Sequence, residues 1–114
     1  MKLILDNFIP PNRQSSYVGR HWAVRKKEAD MIHTFIWGMC QEQKVKPVKK
    51  YPVGLEINIY TTSKKKDLDN YSIKEIIDGL RYAGILENDN PKFINNLIME
   101  VTTAKENKVI IQTI

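Results

Sequence analysis

The sequence predicts an α/β (α+β) fold of the order β-α-β-α-β-β, with one mixed sheet and two helices. The chain has 114 residues, of which 42% are hydrophobic, enough for one domain with a modest core. Apolar and polar residues alternate strictly from Val53 to Tyr60, as in a strand buried on one face. Elsewhere, apolar residues recur at helical spacing in two separate segments. We therefore predict a single domain over residues 1–114.

The first half of the chain predicts a strand and a long helix. Met1–Phe8 is an apolar opening strand that stops at Pro10-Pro11, where the chain loses backbone donors. A helix is predicted from Arg20 to Gln43, followed by a basic linker over Lys44–Pro52. The apolar stripe of this helix contains Met31, Ile32, Phe35, Ile36, Met39 and Cys40.

The second half predicts three strands and a short helix. The strand that begins at Val53 leads through a charged segment into a helix whose apolar face carries Ile73, Ile76, Ile77 and Leu80. Ser72 and Glu75 have the spacing of a capping box, although Asp69 or Asn70 could also cap this helix, and Gly84 is a good C-terminal stop. After a polar turn, two final strands are predicted as a hairpin around Lys105-Glu106-Asn107; they span Phe93–Thr103 and Lys108–Ile114.

Charge and cysteine content exclude several classes of protein. The net charge is +5 and the pI is about 9.3, which favours an anionic partner. Each of the three basic clusters taken alone is typical of a solvated surface; they are Arg20–Lys27, Lys44–Lys50 and Lys64–Lys66. The single Cys40 excludes an intramolecular disulfide and a four-cysteine zinc site, and its apolar surroundings predict a buried thiol. No signal peptide and no apolar run of about 20 residues is present. The sequence therefore predicts a cytoplasmic location.

The charged segment after the Val53 strand is the strongest chemical signal. Lys64, Lys65 and Lys66 precede Asp67 and Asp69. In extended backbone, residues two apart point to the same side, so the two carboxylates could share a divalent metal. By itself, an Asp-x-Asp pair is more typical of a helix N-terminus, where the helix dipole stabilises it.

Asp89 and Lys74 each have an ordinary structural interpretation and an alternative one at a metal site. Asp89 is an ordinary turn residue unless the fold returns its loop to the aspartate pair, in which case three carboxylates could bind Mg²⁺. Lys74 and Asp78 are four residues apart on the predicted helix, and an exposed ion pair is the default interpretation. In the alternative interpretation, Lys74 contacts phosphate beside a metal ion. We interpret His33 as structural, and His21 as a residue that could help to hold phosphate.

Several short motifs together resemble a known family. They are Lys65-Lys66-Asp67-Leu68-Asp69-Asn70, Lys74, Asp78-Gly79-Leu80, Ala83-Gly84-Ile85 and Glu87-Asn88-Asp89. With this spacing the chain resembles the RusA family of Holliday junction resolvases. The resemblance is strongest from Lys64 to Asp89 and extends more loosely to the Pro10-Pro11-Asn12 segment and the closing strands. It departs from the family pattern at Asn88, where a carboxylate is usual, and before Lys74, where one residue is inserted.

The resemblance implies a fold, an activity and a site. It implies a homodimeric endodeoxyribonuclease that depends on Mg²⁺ (or Mn²⁺), binds four-way DNA junctions and resolves them by paired symmetric nicks. Genes of this family are often carried by prophages. The metal ligands carry over to Asp67, Asp69 and Asp89, and the essential lysine to Lys74. Proposed phosphate contacts are Lys64, Lys65, Lys66, Arg13 and Arg20.

Two other functions remain open at this level. One is a non-catalytic protein of the same fold that binds branched DNA through its phosphates. The other is a phage protein whose basic surface meets an acidic protein partner. None of these functions calls for a membrane or a small-molecule cofactor.

Overall fold

Four strands form a single mixed sheet, and two helices cover one of its faces. A computed structural model describes residues 1–11, 22–64 and 70–114. This structure confirms the predicted fold class and element order. In chain order, the elements are β1 (Lys2–Asp6), α1 (Trp22–Glu42), β2 (Val53–Thr61), α2 (Lys74–Tyr82), β3 (Ile94–Thr103) and β4 (Lys108–Thr113).

The order of strands across the sheet is β1-β4-β2-β3. Strand β4 is antiparallel to both β1 and β2, whereas β2 and β3 are parallel. The predicted hairpin of the last two strands is therefore wrong, because β2 lies between them. The connection from β3 to β4 passes the end of β2, where the Ala104 amide donates to the Thr61 carbonyl and Asn107 Oδ1 accepts from the Thr62 amide.

The core lies between the helices and one face of the sheet. In β2, the residues predicted to face inward are fully buried from Leu55 to Ile59, which confirms the alternating pattern. The core side chains supplied by the helices are Ile36, Cys40, Ile76 and Leu80. Met31 was predicted on the apolar stripe of α1 but is 64% exposed, because it lies on the edge of that stripe, away from the sheet and α2.

Helix α2 begins differently from the prediction and ends as predicted. Its N-cap residue is Ile73, whose side chain makes no capping hydrogen bond. The predicted capping box is wrong because the Glu75 carboxylate instead accepts a hydrogen bond from His33 of α1. At the other end, Gly84 has a φ of +77° and the Ile85 amide donates to the Leu80 carbonyl, which closes the helix in the manner typical of glycine.

The direction of α2 decides where the candidate residues lie. Parallel pairing aligns Val53 of β2 with Ile94 of β3, so the chain must return along the sheet between Thr61 and Ile94. Helix α2 makes this return. Its first residues therefore lie near the carboxyl end of β2, and its last residues lie near the amino end of β3.

Candidate functional site

The two helices approach each other closely at one glycine. A Cβ atom on Gly79 would lie 2.6 Å from Cδ1 of Ile36, which is itself fully buried. Residues one turn before this contact on each helix face each other across the crossing, because residues three and four apart share a helix face. On α1 that residue is His33, and on α2 it is Glu75. The absence of a side chain at Gly79 thus brings two polar side chains together.

His33 and Glu75 form a partly buried pair between the helices. Nε2 of His33 donates to Oε2 of Glu75 at 2.9 Å, and the two side chains are 18% and 13% exposed. The imidazole also stacks on the ring of Tyr82, with centroids 6.1 Å apart. A hydrogen bond on one side and an aromatic ring on the other therefore restrict the orientation of the imidazole.

Asp78 lies beside this pair and contacts two cations. Its Oδ2 is 2.8 Å from Nζ of Lys74, and its Oδ1 is 3.7 Å from the guanidinium of Arg81. One ligand atom from each of His33, Glu75 and Asp78 lies within 4.8 Å of the others. This group could hold a metal ion.

The structure places Lys74 and Asp89 near opposite ends of α2. Lys74 is 62% exposed in the first turn, where the expected pair with Asp78 is confirmed. Asp89 follows the last turn, is 44% exposed, and lies 3.6 Å from the guanidinium of Arg81. Arg81 lies seven residues after Lys74, which corresponds to about 10 Å along the helix axis. Asp78 and Arg81 thus connect Lys74 to Asp89 along one side of α2.

The other residues predicted from the sequence can be placed only in part. Lys64 is exposed, just beyond the end of β2. The remaining predicted site residues lie outside the described residues; they are Asp67, Asp69, Lys65, Lys66, Arg13 and Arg20, together with His21. Of the proposed metal ligands and catalytic residues, the structure thus locates Asp89 and Lys74.

Two residues near Lys64 were not predicted as part of the site. Lys105 and Lys108 line a cleft of about 290 Å³ at the carboxyl end of β2, together with Tyr60, Ala104 and Glu106. Nζ of Lys108 lies 5.4 Å from the centroid of the Tyr60 ring, within cation–π range. Cationic and aromatic side chains therefore lie side by side at this end of β2.

The grouping of His33 with Glu75 was not predicted from the sequence. His33 lacks metal-ligand spacing, and Glu75 has the spacing of a capping box with Ser72. A usable signal was Gly79 within an otherwise apolar helix face, since a glycine at such a position often marks close packing. The identity of the facing residue on α1 still required the three-dimensional structure.

Three other expectations concern the surface and the cysteine. Cys40 is a buried free thiol, as predicted, and burial raises its pKa, which disfavours the nucleophilic thiolate. The lysines of the linker are exposed at positions 44, 46, 49 and 50, in agreement with a solvated basic surface. Neither helix in the described part of the chain is long and apolar enough to cross a membrane.

Comparisons with known proteins leave the family of this chain open. No protein-family model matches the sequence, and no curated protein matches it either.

Proposed function

We propose that this protein is a metal-dependent endodeoxyribonuclease that resolves branched DNA, of the kind found in the RusA family. The observation that carries the proposal is the run Lys65–Asn70, followed at family-like spacing by Lys74, Asp78 and Asp89. The described structure supports it in one respect. The run connects the end of a buried strand to the start of a helix, as the sequence pattern requires.

Asp89 fits the proposed Mg²⁺ site chemically. Carboxylate oxygens are the ligands that Mg²⁺ prefers, and the Asp89 side chain is 44% exposed, with its Oδ2 3.6 Å from the guanidinium of Arg81. When bound, the metal would supply an activated water and neutralise charge on the scissile phosphate. Lys74 would stabilise the negative charge that develops on the phosphate. Its side chain is 62% exposed at the start of α2, and its ammonium group would exchange the Asp78 carboxylate, now 2.8 Å away, for the phosphate.

DNA binding would use the surface at the carboxyl end of β2. Lys64 lies there, and Lys65 and Lys66 follow it in the chain. Lys105 and Lys108 flank Tyr60 at the same end of β2. Such a group binds phosphates through charge and can stack an unpaired base on the tyrosine, as is typical of proteins that bind distorted nucleic acid. Arg13 and Arg20 are proposed to extend this surface.

We further propose that the active unit is a homodimer with one site for each subunit. A two-fold dimer matches the symmetry of a four-way junction, in which two equivalent strands are nicked. Each site would take its three aspartates either from one subunit or from both subunits, as a shared site. Mixed variants distinguish these two arrangements.

Cleavage of synthetic junctions tests the activity. Labelled four-way junctions and linear duplex would be incubated with the protein, with and without Mg²⁺, beside the Asp69→Asn variant. We expect Mg²⁺-dependent nicking of the junction by the wild type, and selective binding without nicking by Asp69→Asn. Binding without nicking by the wild type would refute the nuclease. Failure to bind any DNA at low salt would instead favour an acidic protein partner.

Mixing two inactive variants tests the shared site. Asp69→Asn and Asp89→Asn would each be inactive alone. If each site draws on both copies, a heterodimer of the two variants has one intact site and one site that lacks both aspartates. Random pairing then restores about a quarter of the wild-type sites. With a plasmid that extrudes a cruciform, the product would be nicked circles rather than linear DNA. No recovery after verified subunit exchange would place all three aspartates in one copy.

A further inference from the structure

We propose that His33, Glu75 and Asp78 form a binding site for a transition-metal dication such as Zn²⁺, separate from the Mg²⁺ site of the proposed nuclease. Two helices supply the three ligands, and their ligand atoms already lie within 4.8 Å of one another. The group contains none of the three aspartates proposed for Mg²⁺. The inference therefore does not depend on the proposed function.

The ligand types select the class of metal. Carboxylates alone suit Mg²⁺ and Ca²⁺, whereas an imidazole nitrogen favours zinc and its neighbours in the first transition row. Two ligands of a tetrahedral zinc ion lie about 3.3 Å apart. His33 Nε2 and Glu75 Oε2 are now 2.9 Å apart, so a zinc ion that replaces the shared proton needs only a small separation of the two side chains.

The environment of the group suits a metal with an open coordination position. The side chains of His33, Glu75 and Asp78 are 18%, 13% and 21% exposed. The site is therefore held by packed helices but remains reachable from solvent, as in zinc sites with three protein ligands and one water. The ring of Tyr82 restricts the imidazole from the side. Helix packing thus holds two of the three ligands in place before a metal arrives.

Two cationic side chains already contact the acidic ligands and offset their negative charge. Nζ of Lys74 lies 2.8 Å from Asp78 and 3.9 Å from Glu75, and the guanidinium of Arg81 lies 3.7 Å from Asp78. Lys74 has a flexible side chain that is 62% exposed, so it can withdraw into water when a metal binds. The geometry therefore predicts competition between Lys74 and the metal, and removal of the lysine should strengthen metal binding.

Calorimetric titration with Zn²⁺ tests the site directly. Untagged protein, without DNA, would be titrated with zinc chloride in a buffer that does not chelate it. We expect one zinc per chain, displaced poorly by excess Mg²⁺. His33→Gln and Asp78→Asn should each weaken binding by more than about 10-fold, because loss of a direct ligand should cost at least as much as loss of an outer-shell partner, which typically costs about 10- to 100-fold. Lys74→Gln should tighten binding. Asp30→Asn is the matched control, because it makes the same change in the exposed Lys26–Asp30 pair of α1, and its affinity should be unchanged.

The outcomes separate clearly. Glutamine at position 33 keeps a side-chain donor for Glu75, and circular dichroism would verify that each variant is folded. If the folded wild type binds no zinc, or if His33→Gln and Asp78→Asn both bind it as the wild type does, the site is refuted. If Lys74→Gln binds zinc no more tightly than the wild type, the competition is refuted.

Discussion

The two helices each carry a lysine and an aspartate four residues apart, and the two pairs have the same geometry. Lys26 and Asp30 of α1 lie 2.8 Å apart, and so do Lys74 and Asp78 of α2. The two lysines are similarly exposed, at 66% and 62%. The aspartates differ, because Asp30 is 58% exposed and Asp78 only 21%.

Their surroundings explain the difference. Asp78 also contacts Arg81 and lies beside the His33–Glu75 pair, whereas Asp30 lies on the outer side of α1. Local sequence therefore produces the same ion pair twice, and helix packing turns one of the two into part of a candidate metal site. The comparison teaches that an i,i+4 pair acquires a chemical role from the element that packs against it.

The largest expected effect comes from changing the contact that creates the difference. In Gly79→Ala, the new methyl group would lie 2.6 Å from Cδ1 of the buried Ile36, so the helices or the isoleucine must move. We expect a loss of about 1–3 kcal/mol in the free energy of unfolding and a separation of His33 from Glu75. Urea denaturation measures the first, and the histidine side-chain resonances report the second.

Gly38→Ala is the control for that substitution. It also replaces a glycine inside a helix, but within the described residues no heavy atom beyond the neighbouring backbone of α1 lies within 4 Å of the new Cβ. The gain in helix propensity should raise the free energy of unfolding by about 0.5–1 kcal/mol. Equal effects of the two substitutions would contradict the close helix contact at Gly79.

A smaller effect is expected when each aspartate is replaced in turn. Asp78→Asn removes a carboxylate that contacts both Lys74 and Arg81, and we expect it to cost about 0.5–1 kcal/mol. Asp30→Asn should leave the midpoint of thermal unfolding unchanged within error, because its pair is solvated. Equal losses in the two variants, measured by calorimetry at the same ionic strength, would remove the distinction between the pairs.

The smallest effect concerns the titration of Lys26. Its hydrogen bond to Asp30 raises its pKa above the ordinary value of 10.5. Because the pKa of Lys26 is higher in the folded state, the pair adds to the free energy of unfolding at pH values below the unfolded-state pKa. This contribution is lost as the pH rises through the folded-state pKa. Asp30→Asn should return the pKa of Lys26 toward 10.5 in an NMR titration of the lysine side chains. An unchanged midpoint would show that the pair does not form in solution.

Most of the fold could be predicted from the sequence because its signals are local. Alternation around Ile57 predicts a strand, helical spacing around Ile76 predicts α2, and Gly84 predicts where that helix ends. The neighbours of each strand could not be predicted in this way. The turn at Lys105 predicts a hairpin of β3 with β4, yet β4 pairs with β1 and β2. Strand pairing depends on which apolar faces share one core, and this is not encoded in the turn.

The candidate sites divide in the same manner. The Lys74–Asp78 pair follows from spacing alone, and the structure confirms it. The position of Asp89 beside Arg81 depends on the direction in which α2 returns along the sheet, which spacing does not encode. Likewise, Glu75 matched a capping pattern with Ser72 but pairs with His33, because a partner from another helix replaces the local one.

By itself, the sequence determined the secondary structure, the residue types available for metal and phosphate, and the resemblance that motivates the proposed nuclease. These follow from interactions between residues close in the chain and from side-chain chemistry. Only the tertiary structure decided that α2 separates Asp89 from Lys74, and that Gly79 lets His33 reach Glu75 and Asp78. The physical reason is that burial of apolar surface sets how the elements pack, and this packing brings together polar residues that are distant in the chain.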